Sequence, residues 1–120
     1  MQKLILIGAG GHAKSCLDIV NSISKYKILG FIDNHKKGTF ENYKIIGSDT
    51  SLKSIKDKNK INIAITLGQI KDYKKRKNIF EKVKKMGFKL PAIISKYAIV
   101  SKKSKIGEGS MIFNNALVNR

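Results

Sequence analysis

The residues that build disulfide frameworks and zinc clusters are scarce in this sequence, which has one cysteine, two histidines, one proline and no tryptophan in 120 residues. A single cysteine excludes an internal disulfide, and one cysteine with two histidines excludes a dedicated zinc cluster. The apolar runs, such as residues 4–7, are far too short to cross a bilayer, and the first residues lack a signal-peptide pattern. We therefore expect a soluble, cytoplasmic protein with no metal site and no membrane contact.

Arginine and acidic residues are also scarce compared with lysine. Lys plus Arg is 25 against 8 Asp plus Glu, a formal net charge of +17, and 23 of the 25 basic residues are Lys. Nucleic-acid-binding proteins usually add arginine forks and stacking aromatic residues, and no such motif accompanies this charge. Ile and Asn are abundant as well and share A/T-rich codons with Lys, so genome composition could produce much of the imbalance. The scarcity of arginine and the lack of a recognition motif thus disfavour a nucleic-acid partner, while the positive charge is compatible with phosphate-bearing small molecules.

The pattern of the first 92 residues predicts a small α/β domain. The apolar run at residues 4–7 indicates a strand buried on both faces, and a glycine-rich turn, a helical apolar pattern and a second strand at residues 28–32 follow it. Strand, turn, helix and strand within about thirty residues make a βαβ unit. After these elements we expect a polar segment at 34–48, a short helix capped by Asp49 or Ser51, a strand at 61–65, a helix at 71–86 and a last strand at 92–94. Together these elements predict a Rossmann-like parallel sheet flanked by helices.

A spacing of six residues marks the last quarter of the chain. Aliphatic residues recur at Ile94, Val100, Ile106, Ile112 and Val118, and small residues stand four positions after the first four of them, at Ala98, Ser104, Ser110 and Ala116. No helix has this period, and a simple alternating strand would not restrict the fourth position to small residues. It indicates a hexapeptide-repeat parallel β-helix, in which three hexads make one coil. Residues 93–120 would supply about one and a half coils.

The glycine-rich turn is the strongest candidate for a binding site. Gly8-x-Gly10-x-x-Ala13 follows a predicted strand and opens a predicted helix, where backbone N–H groups and the helix N-terminus can hold a phosphate. Asp33 ends the second strand and could accept hydrogen bonds from a sugar hydroxyl. His12 could contact a ligand or serve only as a turn residue. The motif alone does not distinguish NAD from another nucleotide.

Other residues give weaker signals. Gly68 and Arg76 are expected near the same crevice at the strand ends, where open α/β sheets bind ligands. Cys16 lies on the apolar stripe of the first helix and is expected to be a small buried hydrophobic residue rather than a nucleophile. The sequence contains no catalytic set and no metal-ligand spacing.

The combination of glycine loop and hexads resembles the bacterial sugar acyltransferases of the sialic-acid O-acetyltransferase and bacillosamine N-acetyltransferase group. The resemblance spans the chain and is carried by residues 7–14, residues 30–34, Gly47, residues 63–65, Arg76 and the hexads from Ile94. It implies an N-terminal Rossmann-like domain (1–92) that binds a nucleotide sugar, followed by the beginning of a left-handed parallel β-helix (93–120).

The resemblance also implies site residues. Gly8, Gly10, Gly11 and His12 would form the nucleotide-sugar loop, and Asp33 and Asn34 would match an acidic pair of the family. Asn34 departs from that pair, which puts recognition of the sugar or uracil end in question. Gly47, Gly68 and Arg76 would line the same crevice.

The implied activity is acetyl-CoA-dependent O- or N-acetylation of a sugar in surface-glycan biosynthesis, with a UDP- or CMP-linked sugar as the partner of this domain. Family members form homotrimers through the β-helix, bind acetyl-CoA there and place the catalytic histidine further along it. That histidine would lie beyond Arg120, so the 120-residue chain alone is expected to be inactive, to bind no acetyl-CoA and to be a monomer or weak dimer. Two alternatives stay open: an NAD(P)-binding oxidoreductase domain and a basic nucleic-acid-binding module.

Overall fold

The computed structural model describes residues 1–68, 73–102, 105–112 and 117–118. The predicted hexad positions Ser104 and Ala116 and the first two residues of the predicted second helix lie outside this part. Two α-helices, two 3-10 helices (Asp49–Ser54 and Lys58–Lys60) and nine strands are described. The strands and α-helices are β1 Gln2–Ile7, α1 Gly11–Ser22, β2 Tyr26–Ile32, β3 Thr39–Phe40, β4 Tyr43–Gly47, β5 Ile61–Ile65, α2 Tyr73–Lys85, β6 Ile93–Ile94, β7 Ile99–Val100, β8 Met111–Ile112 and β9 Leu117–Val118.

Five strands form one sheet in the order β3-β4-β2-β1-β5, parallel except for the antiparallel pair β3–β4. The chain passes from β1 to β2 on one side and returns to β5 on the other. The strand order therefore reverses at β1, and the crevice outside the carboxyl ends of the strands at such a point is where open α/β sheets bind ligands. The predicted α/β fold, a parallel sheet flanked by helices, is confirmed.

Strand β1 is buried on both faces of the sheet, which explains the continuous apolar run at residues 4–7. Leu4 and Leu6 belong to the hydrophobic cluster that includes α1 residues, whereas Ile5 and Ile7 belong to the cluster that includes Val83 of α2. Alternate side chains of a strand point to opposite faces, so both faces of β1 are covered by a helix layer. This burial fixes the position of the turn that follows Ile7.

The predicted polar segment at 34–48 contains a two-strand hairpin, β3–β4. Its turn residues Glu41 and Asn42 have φ values of 51° and 68°, as in the hairpin turn whose two central residues both have positive φ. The predicted cap of the next helix was wrong. Ser48 is the N-cap, and the Ser51 hydroxyl oxygen accepts the Ser48 backbone N–H at 3.1 Å.

The segment after residue 92 pairs with itself at a fixed offset. Ile93 and Ile94 pair in parallel with Met111 and Ile112, and Ile99 and Val100 pair with Leu117 and Val118. Each partner is 18 residues further along the chain, which is the length of three hexads. The strand expected at 92–94 therefore joins this coil rather than the five-stranded sheet, although the Ile93 side chain packs in the core beside α1.

Among the described helices, none has the length and hydropathy to cross a lipid bilayer. The residues that the structure describes also include no group of three or more His, Cys, Asp or Glu side chains able to hold a metal ion.

Candidate functional site

The first residue after β1 requires glycine. Gly8 has φ +110°, and an ideal Cβ at this position would lie 2.8 Å from Cδ2 of Leu67 and 3.0 Å from the Leu67 backbone nitrogen. Its N–H donates to the Ile32 carbonyl at 2.8 Å, and its carbonyl accepts the Thr66 hydroxyl at 2.6 Å. The chain therefore leaves β1 in close contact with the segment that leaves β5.

The next glycines face open space. Gly10 is the N-cap of α1 with φ −133°, a conformation open to any residue, and an ideal Cβ on Gly10 or Gly11 would have nothing within 4 Å. Gly10 offers no side-chain oxygen to the first-turn N–H groups, and this turn contains no acidic residue. A helix N-terminus with this arrangement presents partial positive charge to the space above it. Such a position suits a phosphate.

Asp33, at the end of β2, organises this loop. Its Oδ2 accepts the Ala9 N–H at 2.9 Å, and its Oδ1 accepts the N–H groups of His35 and Lys36 at 2.9 Å each. A carboxylate has about four acceptor positions, so three are already occupied. The predicted role of Asp33 as a sugar acceptor is thus reduced to one remaining position on Oδ2, and its main contacts hold two loops together.

The same contacts determine the ionisation of Asp33. Burial on its own would raise the pKa of this carboxyl, but the backbone N–H groups of Ala9, His35 and Lys36 and the nearby Lys36 ammonium outweigh burial and hold the pKa below its usual value. Asp33 is therefore a carboxylate at neutral pH, which keeps it an acceptor for all three N–H groups.

Lys36 is a loop residue that the sequence alone does not single out. Its ammonium donates to the Ala9 carbonyl and lies 5.0 Å from the centroid of the Phe40 ring. Because Asp33 binds the Ala9 N–H, both backbone polar groups of Ala9 are held by residues that follow β2. Lys36 also brings a positive charge to the edge of the glycine loop.

Asn34 is paired with Asp49 rather than aligned with Asp33. The Asn34 Nδ2 donates to Asp49 Oδ2 at 3.0 Å, and the Asp49 backbone N–H donates to Asn34 Oδ1 at 2.9 Å. Gly47 lies beside this pair: its carbonyl accepts the Asp33 N–H at 3.0 Å, and an ideal Cβ there would lie 2.1 Å from the Ser51 hydroxyl oxygen. The end of β4 thus belongs to the same site as the end of β2.

A small cavity of about 80 Å³ joins several of these residues at the carboxyl edge of the sheet. We call it the strand-end cavity, and its lining includes Gly8, Asp33, Asn34, His35, Asp49 and Leu67. His12 and Gly68 lie together beyond the glycine loop, since an ideal Cβ on Gly68 would be 3.7 Å from the His12 Cβ.

Arg76 lies in a different place. It lines a larger cavity of about 410 Å³ between α2 and the turn at residues 108–110, with Phe80 and Ser110 among the other lining residues. Helical spacing explains the separation: Lys75 and Ile79, four residues apart, line the strand-end cavity, whereas Arg76 and Phe80 face the coil. The structure therefore does not bring Arg76 into the cavity that holds Asp33.

Cys16 has the environment of a structural residue. It is 1% exposed in α1, and burial raises the pKa of its thiol to about 11 despite the opposing effect of the Arg76 charge. The thiol stays protonated at neutral pH, so Cys16 is not an activated nucleophile.

Comparison with known proteins identifies the domain that carries this site. Residues 3–83 match the family model of the PglD N-terminal domain. The chain belongs to this family. The resemblance to the bacterial sugar acyltransferases is thereby confirmed. The matched residues include the whole of the site described above: the glycine loop, the Asp33 network and the Asn34–Asp49 pair.

Solved structures with the same fold extend beyond this domain. The chain matches the acetyltransferase domain of PglB from Neisseria gonorrhoeae FA1090 in complex with acetyl coenzyme A, with a TM-score of 0.86 and 32% identity over 97% of this chain and 55% of that one. PerB from Caulobacter crescentus, solved with CoA and GDP-perosamine, matches with a TM-score of 0.84 and 22% identity over 98% of this chain and 54% of that one. At that identity the second match shows the fold alone. The chain spans about half the length of these structures.

Proposed function

We propose that this chain binds a nucleotide sugar at the carboxyl edge of its sheet, as the substrate-binding part of an acetyl-CoA-dependent sugar O- or N-acyltransferase of glycan biosynthesis. The observation that carries the proposal is the open N-terminus of α1 behind a glycine loop that Asp33 holds from the neighbouring strand. The similarity to the PglB acetyltransferase domain supports the acyltransferase over an NAD(P)-dependent oxidoreductase. We further propose a cytoplasmic location.

The phosphates of the ligand would lie over Gly10 and Gly11, where the N–H groups of the first helical turn and the helix dipole favour negative charge. Asp33 would act mainly by positioning Ala9 and thus the loop. His12 and Gly68 would flank the ligand on the β5 side, and Arg76 would be reached only by a ligand that extends past the end of β5. We expect uridine or cytidine as the nucleoside.

The coil segment would connect this domain to the transfer reaction. We propose that residues 93–120 are the start of the β-helix, supported by the 18-residue offset between its paired strands. Acetyl-CoA would supply the acetyl group as the co-substrate of the full acyltransferase. An attacking hydroxyl or amine needs a base to take its proton, which is worth about a hundred- to ten-thousand-fold in rate. The two histidines of this chain, His12 and His35, both lie in the α/β domain.

Binding is tested by calorimetry with UDP-amino sugars, CMP-sialic acid, a GDP-sugar and NADH. Gly10→Val should fold, because a Cβ there meets nothing within 4 Å, yet its side chain would occupy the phosphate position. We expect its affinity for the nucleotide sugar to fall tenfold or more, equivalent to about 1.4 kcal/mol. Gly107→Val is the matched control, since its Cβ would also have room, with the nearest atom at 3.9 Å. A preference for NADH, or equal binding by both variants, would contradict the proposal.

Turnover and assembly are measured separately. The chain incubated with acetyl-CoA and a UDP-amino sugar should release no free CoA thiol. If thiol is released, and His12→Ala abolishes that release, the catalytic base lies in the α/β domain instead. Light scattering should find a monomer or weak dimer, and a stable trimer would contradict that expectation.

A further inference from the structure

Asp49 lies at the strand-end cavity, and its contacts with Asn34 use only one of its two carboxylate oxygens. It is half-buried, it lines the cavity together with Asp33 and Asn34, and it begins the 3-10 helix that follows β4. The N-cap of that helix is Ser48, so the Asp49 carboxylate is not needed to cap it.

The Asn34–Asp49 pair fixes the direction of this carboxylate. The Asn34 amide oxygen meets the Asp49 N–H, and its amide nitrogen meets Asp49 Oδ2, so the two ends of the amide have unambiguous partners. Among the described residues no hydrogen bond reaches Asp49 Oδ1. Because three of the four acceptor positions of Asp33 are taken, Asp49 Oδ1 is the carboxylate oxygen of this cavity with the most capacity to accept a donor from a ligand.

The sheet order indicates which part of a nucleotide would meet this oxygen. Moving along the carboxyl edge, β1 carries the glycine loop, β2 carries Asp33, and β4 carries Gly47 and Asp49. Neighbouring strands are about 4.8 Å apart, so the end of β4 lies about 10 Å from the end of β1. A nucleotide with its phosphates over the glycine loop and its ribose near Asp33 would place its base near Asp49.

We propose that Asp49, positioned by Asn34, is a specificity-determining residue whose Oδ1 accepts the ring N–H of a uracil base. This inference rests on the proposed nucleotide-sugar site. The open Oδ1 can accept the ring N–H of uracil, whereas the corresponding ring nitrogen of cytosine carries no hydrogen and would face the carboxylate as a second acceptor. The site would therefore favour uridine-linked over cytidine-linked ligands.

Asp49→Asn tests the assignment with little change in shape. The amide oxygen of the substituted side chain can still accept the Asn34 N–H, but an NH₂ group then replaces the acceptor at the free position. We expect the affinity for UDP, measured by calorimetry, to fall on the order of 10- to 100-fold, as for loss of a hydrogen bond to a charged group. Asp57→Asn is the matched control, because Asp57 is exposed and its side chain caps no helix, and its affinity should stay within about twofold of wild type.

A second comparison uses the unaltered protein and separates a base contact from a structural effect. N3-methyl-UDP lacks the ring N–H, so wild type should bind it as weakly as Asp49→Asn binds UDP, and the substitution should cause no further loss with this ligand. Equal wild-type affinity for UDP and N3-methyl-UDP would overturn the inference, and so would unchanged UDP binding by Asp49→Asn. A substitution effect that disappears with 2′-deoxy-UDP but persists with N3-methyl-UDP would assign Asp49 to the ribose instead. Failure of wild type to bind any nucleotide or nucleotide sugar would refute the proposed function itself, and the inference with it.

Discussion

Replacing Gly8 by alanine should destabilise the protein far more than the same change two residues later. At φ +110° an L-residue carries backbone strain of about 1–3 kcal/mol. The added Cβ would also lie 2.8 Å from Leu67 Cδ2 and 3.0 Å from the Leu67 backbone nitrogen. The side-chain contact can relax by rotation of Leu67, but the backbone contact requires the two loops to separate, which is a form of overpacking that costs about 1–3 kcal/mol.

We therefore expect Gly8→Ala to lower the free energy of unfolding by about 2–4 kcal/mol. Gly10→Ala is the comparison, because Gly10 has φ −133° and open space around it. Its only expected cost is that of a poorer N-cap, about 0.5 kcal/mol.

Thermal unfolding followed by circular dichroism measures both variants. For a chain of this length, 1 kcal/mol corresponds to about 4 °C, so Gly8→Ala should melt about 8–16 °C below wild type and Gly10→Ala within a few degrees of it. Equal melting temperatures for the two variants would refute the account of the loop, since it would mean that the loops after β1 and β5 are not in close contact.

Lys36, Asp33 and Cys16 can each be tested by a separate measurement. Lys36→Met keeps the packing of the stem but loses the hydrogen bond from the ammonium to the Ala9 carbonyl. The loop should then open more often, so hydrogen exchange of the Ala9 N–H, which Asp33 binds, should accelerate, whereas Lys37→Met should leave it unchanged. Folding lowers the pKa of Asp33, so the contribution of its carboxylate to stability should be complete above the ordinary pKa of about 3.9 and be lost as the pH falls through the folded value. Asp33→Asn should remove this part of the acid dependence of the urea unfolding midpoint. An unchanged acid dependence in the variant would contradict the prediction. Cys16, with a pKa of about 11, should react with a thiol reagent at neutral pH only after unfolding, so rapid reaction in the folded protein would refute its burial.

The features that the sequence predicted share a physical basis in repetition or burial. β1 was predictable because burial on both faces demands a continuous apolar run, and its alternate residues do enter two separate clusters. The coil was predictable because a fixed corner spacing of six residues leads to strand pairing at an offset of 18. The place of Asp33 directly after β2 was predictable because the buried apolar run ends there, whereas its contacts with two loops were not.

The contacts that were missed join residues distant in sequence. Lys36 reaches back 27 residues to Ala9, and Asp49 reaches back 15 to Asn34. No local pattern marks either of them, since Lys36 is one of 23 lysines and Asp49 resembled a helix cap. The hairpin β3–β4 escaped prediction because its turn begins with Glu41, whereas Asn-Gly or Asp-Gly is the usual signal.

The central claim is that a nucleotide sugar binds at the carboxyl edge of the sheet over the N-terminus of α1. Titration of the ¹⁵N-labelled chain with a UDP-amino sugar, followed by NMR, tests this most directly, because each backbone amide reports its own surroundings. The largest shifts should fall on Gly10, Gly11 and Asp33. Shifts concentrated instead on Arg76 and the turn at residues 108–110 would place the ligand in the cavity between α2 and the coil and would contradict the claim.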